Sequence, residues 1–460
     1  MKLRKILSIA MSAIFVIGML NGCGQKKDEK IKISIGNCAV EGQNGYEQQE
    51  EKFARFRENH PEIEITPDTY AYDTKNFIAK AAGGQLPTTF ATYFTEIKQI
   101  ASQGYCADIS KVVEKVGLLD VINPTILEMV KGENGEIWGL PHGAYAQSLN
   151  INKKIFKEAG LVNEDGSVKI PQTYDEVLEY AKIIKEKTGK AGFVIPTIEN
   201  CGGWHMMNIA WSYGTEFMKQ NEDGSWKATF DSDEFKAACQ WIYDMKWKNN
   251  GLYENSVVSN ADRIQIFGTY QAGMMFGAPP EQALVTKYGM DKNDIICVRM
   301  PEGPKGRFSQ SGGSVHMFSN KATEAEIEAC LKWFMEEMGW TLSIDESTLE
   351  NSEKDLISQT ERGEIILSKG VFPTFVNRGN EDKLSALKEK YCNVDMNDWN
   401  DYLDFKGVTI KPEEPVCCQQ LYAVIDGVIQ KIITNKNVDI DAVVAEAVND
   451  FQKNHLDNLQ

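Results

Sequence analysis

Hydrophobic and polar residues follow two different periods along the chain after residue 30. Apolar residues alternate with polar ones from Ile31 to Ile35 and again from Ile63 to Pro67, which predicts half-buried strands, and Thr89 to Tyr93 predicts a third strand. Between these strands, Tyr46 to Asn59 has the pattern of an amphipathic helix, and a second helix is predicted from Asp73 to Ala82. This alternation of strands and helices predicts a mainly parallel sheet with helices on both faces.

A second series of strands and helices begins near residue 148. Strands are predicted at Ser148 to Asn152, Ala272 to Phe276 and Ile295 to Met300. Strongly amphipathic helices are predicted at Tyr174 to Lys187 and at Asp233 to Lys248, and the C-terminal part is mostly helical. The whole pattern therefore predicts an α/β protein long enough for two or three domains.

The N-terminus has the pattern of an export signal. Basic residues precede an apolar run from Ile6 to Leu20, which is too short for a comfortable membrane span. The run ends in Leu20-Asn21-Gly22-Cys23, which resembles a bacterial lipobox, in which the cysteine takes a lipid such as palmitate. We expect a signal peptide over residues 1–22 and a lipidated tether over residues 23–30, on the outer face of the cell membrane. The alternatives are an ordinary signal peptide with an incidental cysteine and a transmembrane anchor.

Charge and cysteine content limit the classes of partner. The chain of 460 residues has a net charge of −17, which disfavours nucleic acid and anionic headgroups as partners. Of its 10 cysteines, Cys23 is assigned to lipid, and the rest are irregularly spaced, without a C-x-x-C motif. We expect most of them to be free thiols, with one or two disulfides as the alternative.

No signature of catalysis, cofactor binding or metal binding stands out. The chain lacks G-x-S-x-G, G-x-x-x-x-G-K and H-E-x-x-H motifs. The similar segments Asn163–Ser167 and Asn221–Ser225 suggest calcium, but neither has the Glu that a twelve-residue calcium loop requires. Each is more simply an Asp-Gly turn. We expect a binding protein rather than an enzyme, with no metal and no cofactor.

Several motifs occur in a characteristic order between residues 31 and 340. They are Gly104–Ile109 (G-Y-C-A-D-I), Trp138–Pro141 (W-G-L-P), Lys153–Leu161 (K-K-I-F-K-E-A-G-L), Pro171–Glu176 (P-Q-T-Y-D-E), Gly268–Phe276 and Pro301–Ser319. In order and spacing they resemble the family 1 extracellular solute-binding proteins of bacterial ABC importers, which have N-K-x-x-F-K-E-A-G-L followed by P-x-T-W-D-E. Tyr174 stands where this family usually has tryptophan.

The resemblance implies a two-lobed periplasmic-binding-protein fold of type II, similar to maltose-binding protein. Each lobe would be a mainly parallel sheet flanked by helices, with a cleft at a hinge of several strands. Lobe 1 would comprise residues 31–143 plus about 301–350, and lobe 2 residues 146–298 plus about 355–460. The resemblance also implies a monomer that traps a sugar or oligosaccharide by lobe closure and delivers it to an ABC permease.

A sugar-binding cleft needs aromatic rings for the C–H faces of the sugar and fixed polar groups for its hydroxyls. Because ligands of open α/β sheets lie beyond the carboxyl ends of the strands, the loops after the predicted strands supply the candidates. The expected ligand-binding residues are Asn37, Glu41, Tyr93, Thr95, His142, Tyr145, Trp204, His205, Glu281, Gly313 and Ser314.

Each candidate has a structural alternative. The tyrosines and Trp204 are also suited to core packing, His142 and His205 to structural hydrogen bonds, and Glu41 and Glu281 to a solvated surface. Gly313 is expected to let the backbone approach a ligand closely. The family's usual tryptophan near Pro279-Pro280 is absent, which puts a stacking ring from that loop in doubt.

Two other functions remain open from the sequence. A secreted carbohydrate-active enzyme would need two carboxyl groups across the sugar, for which Glu41, Glu96 and Glu281 are candidates. A sensory receptor would pass its ligand state to a membrane kinase instead of a permease.

Overall fold

The computed structural model describes residues 30–43, 45–74, 76–132, 134–370 and 373–459. The predicted leader and Cys23 lie outside the described residues. The described chain forms two α/β lobes, each built on its own sheet, so the predicted fold class is confirmed.

The strands are short, apart from one. In chain order they are β1 (Ile31–Ile35), β2 (Ile63–Pro67), β3 (Thr89–Tyr93), β4 (Gly139–Ala146), β5 (Ser148–Asn152), β6 (Ala191–Val194), β7 (Met218–Gln220), β8 (Trp226–Ala228), β9 (Ala272–Gly277), β10 (Ile295–Val298), β11 (Phe308–Phe318) and β12 (Thr409–Lys411).

The helices cover the sheets and form most of the C-terminal part. They are α1 (Tyr46–Asn59), α2 (Phe77–Ala82), α3 (Ile97–Ser102), α4 (Ser110–Lys115), α5 (Pro124–Val130), α6 (Lys153–Glu158), α7 (Tyr174–Thr188), α8 (Cys201–Tyr213), α9 (Asp233–Tyr243), α10 (Asn260–Gly268), α11 (Ala283–Thr286), α12 (Glu324–Glu337), α13 (Glu346–Glu361), α14 (Glu381–Tyr391), α15 (Asn400–Leu403), α16 (Cys418–Thr434) and α17 (Ile440–Asn454). A π-helical turn, Asp244–Lys248, extends α9.

Lobe 1 is built on a six-stranded sheet in the order β12-β11-β3-β1-β2, with β4 also paired to β11. Strand β1 is parallel to β2 and β3, whereas β11 is antiparallel to β3 and β4. Helices α1 and α12 pack against it, and the rings of Phe53 and Trp333 stack at 4.4 Å between centroids. This burial of large apolar side chains gives lobe 1 its own core.

Lobe 2 is built on a four-stranded sheet in the order β10-β5-β9-β6. Strands β6 and β9 are parallel, and β5 runs antiparallel to both of its neighbours, β9 and β10. Because successive side chains of a strand point to opposite faces, Met274 and Phe276 enter one buried cluster while Met275 enters another. Lobe 2 therefore has a core on each face of its sheet.

The chain passes between the lobes several times, and three of the connections lie at the hinge. A single residue, Gln147, separates β4 of the first sheet from β5 of the second. Residues 299–307 lead from β10 back to β11, and residues 412–417 lead from β12 to α16, which packs on α8. The hinge of this fold thus consists of several adjacent strand ends.

Most predicted elements agree with the structure, and the differences have local causes. Strands β1, β2, β3 and β5 and helix α1 have the predicted bounds. Helix α7 also begins where predicted, because the Thr173 hydroxyl and the Glu176 carboxylate form a capping box. Strand β10 ends before its predicted end at Met300, since the Arg299 N–H donates to Asp401 rather than to a neighbouring strand.

The two segments that suggested calcium are turns. Asp165 Oδ1 accepts hydrogen bonds from the backbone N–H and hydroxyl of Ser167, and Asp223 Oδ1 accepts the same pair from Ser225. The predicted Asp-Gly turns are therefore confirmed. All nine cysteines of the described residues are free thiols, as expected for most of them.

Candidate functional site

Aromatic side chains meet at the hinge between the lobes. Tyr145 lies on β4, and its ring meets that of Trp204 on α8 edge-on, with 6.1 Å between centroids. Gly312 on β11 lies opposite Tyr145, and a Cβ there would stand 2.8 Å from the Tyr145 ring. Gly312 is therefore required for the ring to lie flat against the strand.

The lobe 1 side of the cleft is formed by the end of β3 and the residues after it. Tyr93 pairs with Ser314 of β11 and is 50% exposed. Its ring meets that of Tyr72 edge-on at 6.0 Å, and the Tyr72 hydroxyl donates to the Glu96 carboxylate. Burial raises the pKa of Glu96, and this hydrogen bond opposes the rise.

Gly313 serves a packing role at the same edge. A Cβ at Gly313 would lie 2.2 Å from the Phe94 ring and 2.5 Å from the carbonyl oxygen of Gly143. Gly312 and Gly313 lie within β11, where the two residues accommodate rings on opposite faces of the strand. Gly313 thus allows a close approach of protein groups.

A second carboxyl group comes from the segment that leads into lobe 2. Glu413 accepts a hydrogen bond of 2.8 Å from the Tyr422 hydroxyl of α16. Burial raises the pKa of Glu413 to about 8, and the charge of Glu96 adds to the rise. Glu96, which is buried, and Glu413, which is partly buried, are therefore two carboxyl groups close enough to interact at the cleft.

A chain of buried amide groups runs through the hinge. Gln310 Nε2 donates to the Tyr422 hydroxyl, and Gln147 Nε2 donates to Gln310 Oε1 at 2.9 Å. His205 Nδ1 donates to Gln147 Oε1 at 2.6 Å. Burial strongly lowers the pKa of His205, so its ring is neutral, and its Nε2 is a buried atom without a hydrogen-bond partner among the described residues.

The start of α8 forms the lobe 2 side of the cleft. Asp426 of α16 accepts hydrogen bonds of 2.7 Å from the N–H groups of both Asn200 and Gly203. Burial raises the pKa of Asp426 to about 6 although these N–H groups favour its charged form. A Cβ at Gly203 would lie 2.3 Å from the Tyr422 carbonyl oxygen, so this glycine brings α8 and α16 together.

The lobe 2 side also contains an ion pair between Arg263 and Glu281. Arg263 Nη2 lies 2.7 Å from Glu281 Oε1, and the Arg263 guanidinium also donates to the Phe276 carbonyl and to Asn260. The Arg263 side chain is almost fully buried. Glu281 is therefore held as the partner of a buried cation.

The structure brings several of the predicted site residues together. Tyr145, Trp204 and His205 form one ring cluster, and Tyr93, Ser314 and Thr95 adjoin it at the end of β3 and on β11. Asn37 Oδ1 accepts a hydrogen bond from the Ala91 N–H, close to Tyr93.

Two predicted residues lie apart from that group, and one is buried. The His142 ring contacts His316 at 5.1 Å and Trp340 at 6.1 Å rather than Tyr145 or Trp204. Glu41 is exposed on the loop after β1. His205 has no exposed surface.

Several residues of the site were missed in the sequence. Glu413 lies in a Pro-Glu-Glu-Pro segment before an amphipathic helix, and the flanking prolines are a signal for a rigid connection. Gln147 is the single residue between two strand patterns, which marks a crossing point. Asp426 gave no signal, because its partners are far away in sequence.

The described residues include no group of three or more His, Cys, Asp or Glu side chains placed to hold a metal ion. Among the same residues, no helix is both long enough and apolar enough to span a membrane.

Two lobes joined by several strands, with aromatic and polar side chains at their junction, define a solute-binding protein with an interlobe cleft. Residues 42–339 match the model of the bacterial extracellular solute-binding proteins. The chain belongs to this family, as the sequence motifs indicated.

Curated relatives match part of the chain. A putative binding protein of Brucella abortus is 30% identical over 217 residues, which cover 45% of this chain and 46% of that protein. An arabinooligosaccharide-binding protein of Halalkalibacterium halodurans is 23% identical over 207 residues, covering 43% and 42% of the two chains. The matched part thus spans about half the length of these relatives.

Solved structures share the fold over nearly the whole chain. Maltose-bound T. maritima MalE3 superposes with a TM-score of 0.66 and 20% identity, covering 92% of this chain and 99% of that one. UgpB from Mycobacterium tuberculosis in complex with glycerophosphocholine gives a TM-score of 0.67 and 14% identity, with 92% and 97% coverage. At these identities the likeness concerns the fold.

Proposed function

We propose that this protein is a lipid-anchored receptor that captures a sugar or oligosaccharide between its lobes and delivers it to an ABC import permease. The observation that carries the proposal is the ring pair of Tyr145 and Trp204 at the hinge, with the half-exposed Tyr93 near Tyr145 at the end of β3 and hydrogen-bonding side chains beside them. Rings supply flat surfaces for the C–H faces of a sugar, and the carboxyl groups of Glu96 and Glu413 pair with its hydroxyls.

The names of similar proteins support a carbohydrate. One relative is an arabinooligosaccharide-binding protein, and solved structures of the same fold hold maltose and cycloalternan. Because another neighbour holds glycerophosphocholine, the fold alone does not select the ligand.

Within the cleft we assign ligand contact to Asn37, Tyr93, Thr95, Glu96, Tyr145, Trp204, Ser314 and Glu413, with Glu281 at its rim. Closure requires that ligand bind the closed arrangement better than the open one. We assign His205 and Gly313 to shaping the hinge, since His205 is fully buried and Gly313 packs against Phe94.

A thermal-shift screen of mono- and oligosaccharides tests the proposal. A ligand that binds only the folded protein raises its midpoint temperature, and more so at higher concentration. A bound sugar is then titrated calorimetrically against Trp204→Ala, which should bind it at least tenfold more weakly. The absence of any carbohydrate response across the panel would overturn the proposal.

The membrane anchor is tested separately with Cys23→Ser in the full chain. Lipidation at Cys23 predicts that this variant is released into the medium, while the unchanged protein stays with the membrane fraction. Durable anchoring needs more than one acyl chain, so mass spectrometry of the mature N-terminus should show several. Membrane retention of Cys23→Ser would contradict the assignment.

A carbohydrate-active enzyme is a second candidate because Glu96 and Glu413 are two interacting carboxyl groups at the cleft and the pKa of Glu413 is raised to about 8. The family and its neighbours are binding proteins. Incubation with labelled oligosaccharides separates the two functions, since an enzyme would release shorter products and a receptor would return the ligand intact.

A further inference from the structure

A cavity on lobe 1 lies between the C-terminal parts of α1 and α12 and the helices α13 and α14. Its volume is about 870 Å³, within the range of roughly 300–1,000 Å³ usual for small-molecule pockets. None of the residues that line it belongs to the ring cluster or to the carboxyl pair of the cleft. The cavity is therefore separate from the site between the lobes.

Lys388 of α14 is a half-buried cation at this cavity, and it has no acidic partner. Its ammonium group forms no ion pair and no hydrogen bond with any residue that the structure describes. Burial lowers the pKa of Lys388, and the nearby charge of Arg378 lowers it further. A cation that is partly removed from water is costly unless an anion neutralises it.

Two further hydrogen-bond donors belong to residues that line the same cavity. The Arg378 guanidinium lies over the Phe375 ring, and its Nε is 3.7 Å from Glu381 Oε1, which is longer than a hydrogen bond. Both this Nε and the hydroxyl of Thr341 are buried atoms without a hydrogen-bond partner among the described residues. Because buried polar groups are nearly always paired, these donors and Lys388 are suited to a bound acceptor.

The acidic residues that line the cavity interact with partners inside the protein. They are Glu337 with Arg55, Glu336 with His60, Asp345 with the Thr348 N–H, and Asp355 within electrostatic range of Arg55. Lys52 of α1 also lines the cavity and adds a third positive charge to those of Arg378 and Lys388. Positive charge therefore remains available to a ligand.

Apolar side chains line another part of the cavity. Met338 and Leu342 are 36% and 37% exposed, and they are among the large apolar side chains that the described chain leaves exposed. Leu356 of α13 and Leu384 of α14 continue this surface. A simple inorganic ion would leave it in contact with water, whereas an organic molecule would bury it.

We propose that this cavity binds a small organic anion. Arg378, Lys388 and Thr341 hold its oxyanion group by hydrogen bonds, and Met338 and Leu342 contact its apolar part. A carboxylate and a phosphate ester share this chemistry. The site goes beyond the proposed function, because it lies outside the cleft and does not depend on a sugar.

Calorimetric titration of the whole protein with phenyl phosphate and with benzoate tests the inference, and benzyl alcohol is the uncharged control. We expect at least one of the two anions to bind, and the tighter one identifies the oxyanion group. Lys388→Gln should weaken anion binding about tenfold, because a charge-assisted hydrogen bond is lost. Lys383→Gln makes the same charge change at an exposed position of α14 and should bind as the unchanged protein does.

Two measurements separate lost binding from misfolding. Lys388→Gln should not lower the midpoint temperature of the unliganded protein, because an unpaired, partly buried cation does not stabilise the fold. Thr341→Val removes the hydroxyl at nearly constant volume and should also weaken anion binding.

Sugar titrations of the same variants keep this inference distinct from the proposed function. Sugar affinity should be unchanged in Lys388→Gln, and failure of every sugar to bind would overturn the proposed function alone. Binding of neither anion, binding of benzyl alcohol as tight as that of the anions, or equal losses in Lys388→Gln and Lys383→Gln would overturn the inference.

Discussion

The two walls of the cleft are held in different ways. On lobe 1, Tyr93 is 50% exposed and Asn37 is also exposed, so these side chains meet solvent in the structure. On lobe 2, Arg263 and Asp426 are 1% and 5% exposed, and each has several hydrogen bonds. The lobe 2 wall therefore contains buried side chains that are already held by hydrogen bonds. The lobe 1 wall contains exposed side chains that a bound ligand would cover.

Because of this difference, we expect substitutions on lobe 2 to change mainly the stability of the protein and substitutions on lobe 1 to change mainly its affinity for a ligand. Buried polar groups are costly unless they are paired, so changes on lobe 2 should appear first in unfolding. Exposed rings contribute little to the free energy of folding. Their apolar surface becomes buried when a ligand covers them, and this burial contributes to the affinity. The following changes test the separation, from the largest expected effect to the smallest.

Asp426→Ala should lower the free energy of unfolding by about 3 kcal/mol, because it leaves the buried N–H groups of Asn200 and Gly203 without their acceptor. Asp426→Asn keeps one of the two acceptor oxygens and should lose about half as much. Urea denaturation of both variants measures the effect. A loss below about 0.5 kcal/mol for Asp426→Ala would mean that this carboxylate does not stabilise the start of α8.

Glu413→Gln should flatten the pH dependence of stability. The folded-state pKa of Glu413 is about 8, above the ordinary 4.5, so the folded protein holds this proton more tightly and loses stability as pH rises from 4.5 to 8. Asp426, with a pKa of about 6, completes its contribution earlier. The lowered pKa values of His142, His205 and His316 make stability rise with pH until the pH has passed their ordinary value of 6.5, so the window from pH 7 to pH 8 reports mainly on Glu413. Glu96 acts in the same direction.

Midpoint temperatures measured from pH 7 to pH 8 check this prediction. The unchanged protein should become less stable across the window, and Glu413→Gln should show a smaller slope. Glu41→Gln, at an exposed position, is the matched control and should keep the original slope. A rise of stability with pH in the unchanged protein would contradict the assignment.

Tyr93→Ala should have the smallest effect on folding. Because the ring is half exposed, we expect a change within about 0.5 kcal/mol in the free energy of unfolding. Its affinity for a bound sugar should nevertheless fall about tenfold, because the ring no longer covers the ligand. Trp204→Ala offers the contrast, since this ring also packs on the lobe 2 core and should lose stability as well as affinity. Equal stability losses in the two variants would erase the distinction between the walls.

The elements that the sequence predicts well are those that local signals specify. Strands β1 to β3 and helix α7 were predictable because apolar periodicity and the Thr173–Glu176 capping box are local signals. The exposed Tyr93 was predictable from its place at the end of a strand. The family resemblance supplied the two-lobed arrangement that local periodicity cannot give.

The lobe 2 wall and the hinge were harder to predict, because the positions and pKa values of their side chains depend on residues that are distant in sequence. His205 looks like a rim residue beside Trp204, yet α8 turns it toward Gln147, which is 58 residues away. Gly202 and Gly203 look like a loop, but they begin α8 and allow close packing on α16. The raised pKa of Glu413 depends on burial and on the charge of Glu96, and the hydrogen bond from Tyr422 opposes the rise; a local pattern reveals none of these partners.

The position of Gln147 has a consequence for the rate of ligand exchange. It is the only residue between β4 and β5, and its amide joins Gln310 on one side and His205 on the other. A rotation of the lobes that separates these groups leaves buried amides unpaired, at about 1–3 kcal/mol for each group. At tenfold per 1.4 kcal/mol, we expect that cost to keep widely opened molecules scarce and to lengthen the residence time of a captured solute, where the separated amides stay out of reach of water.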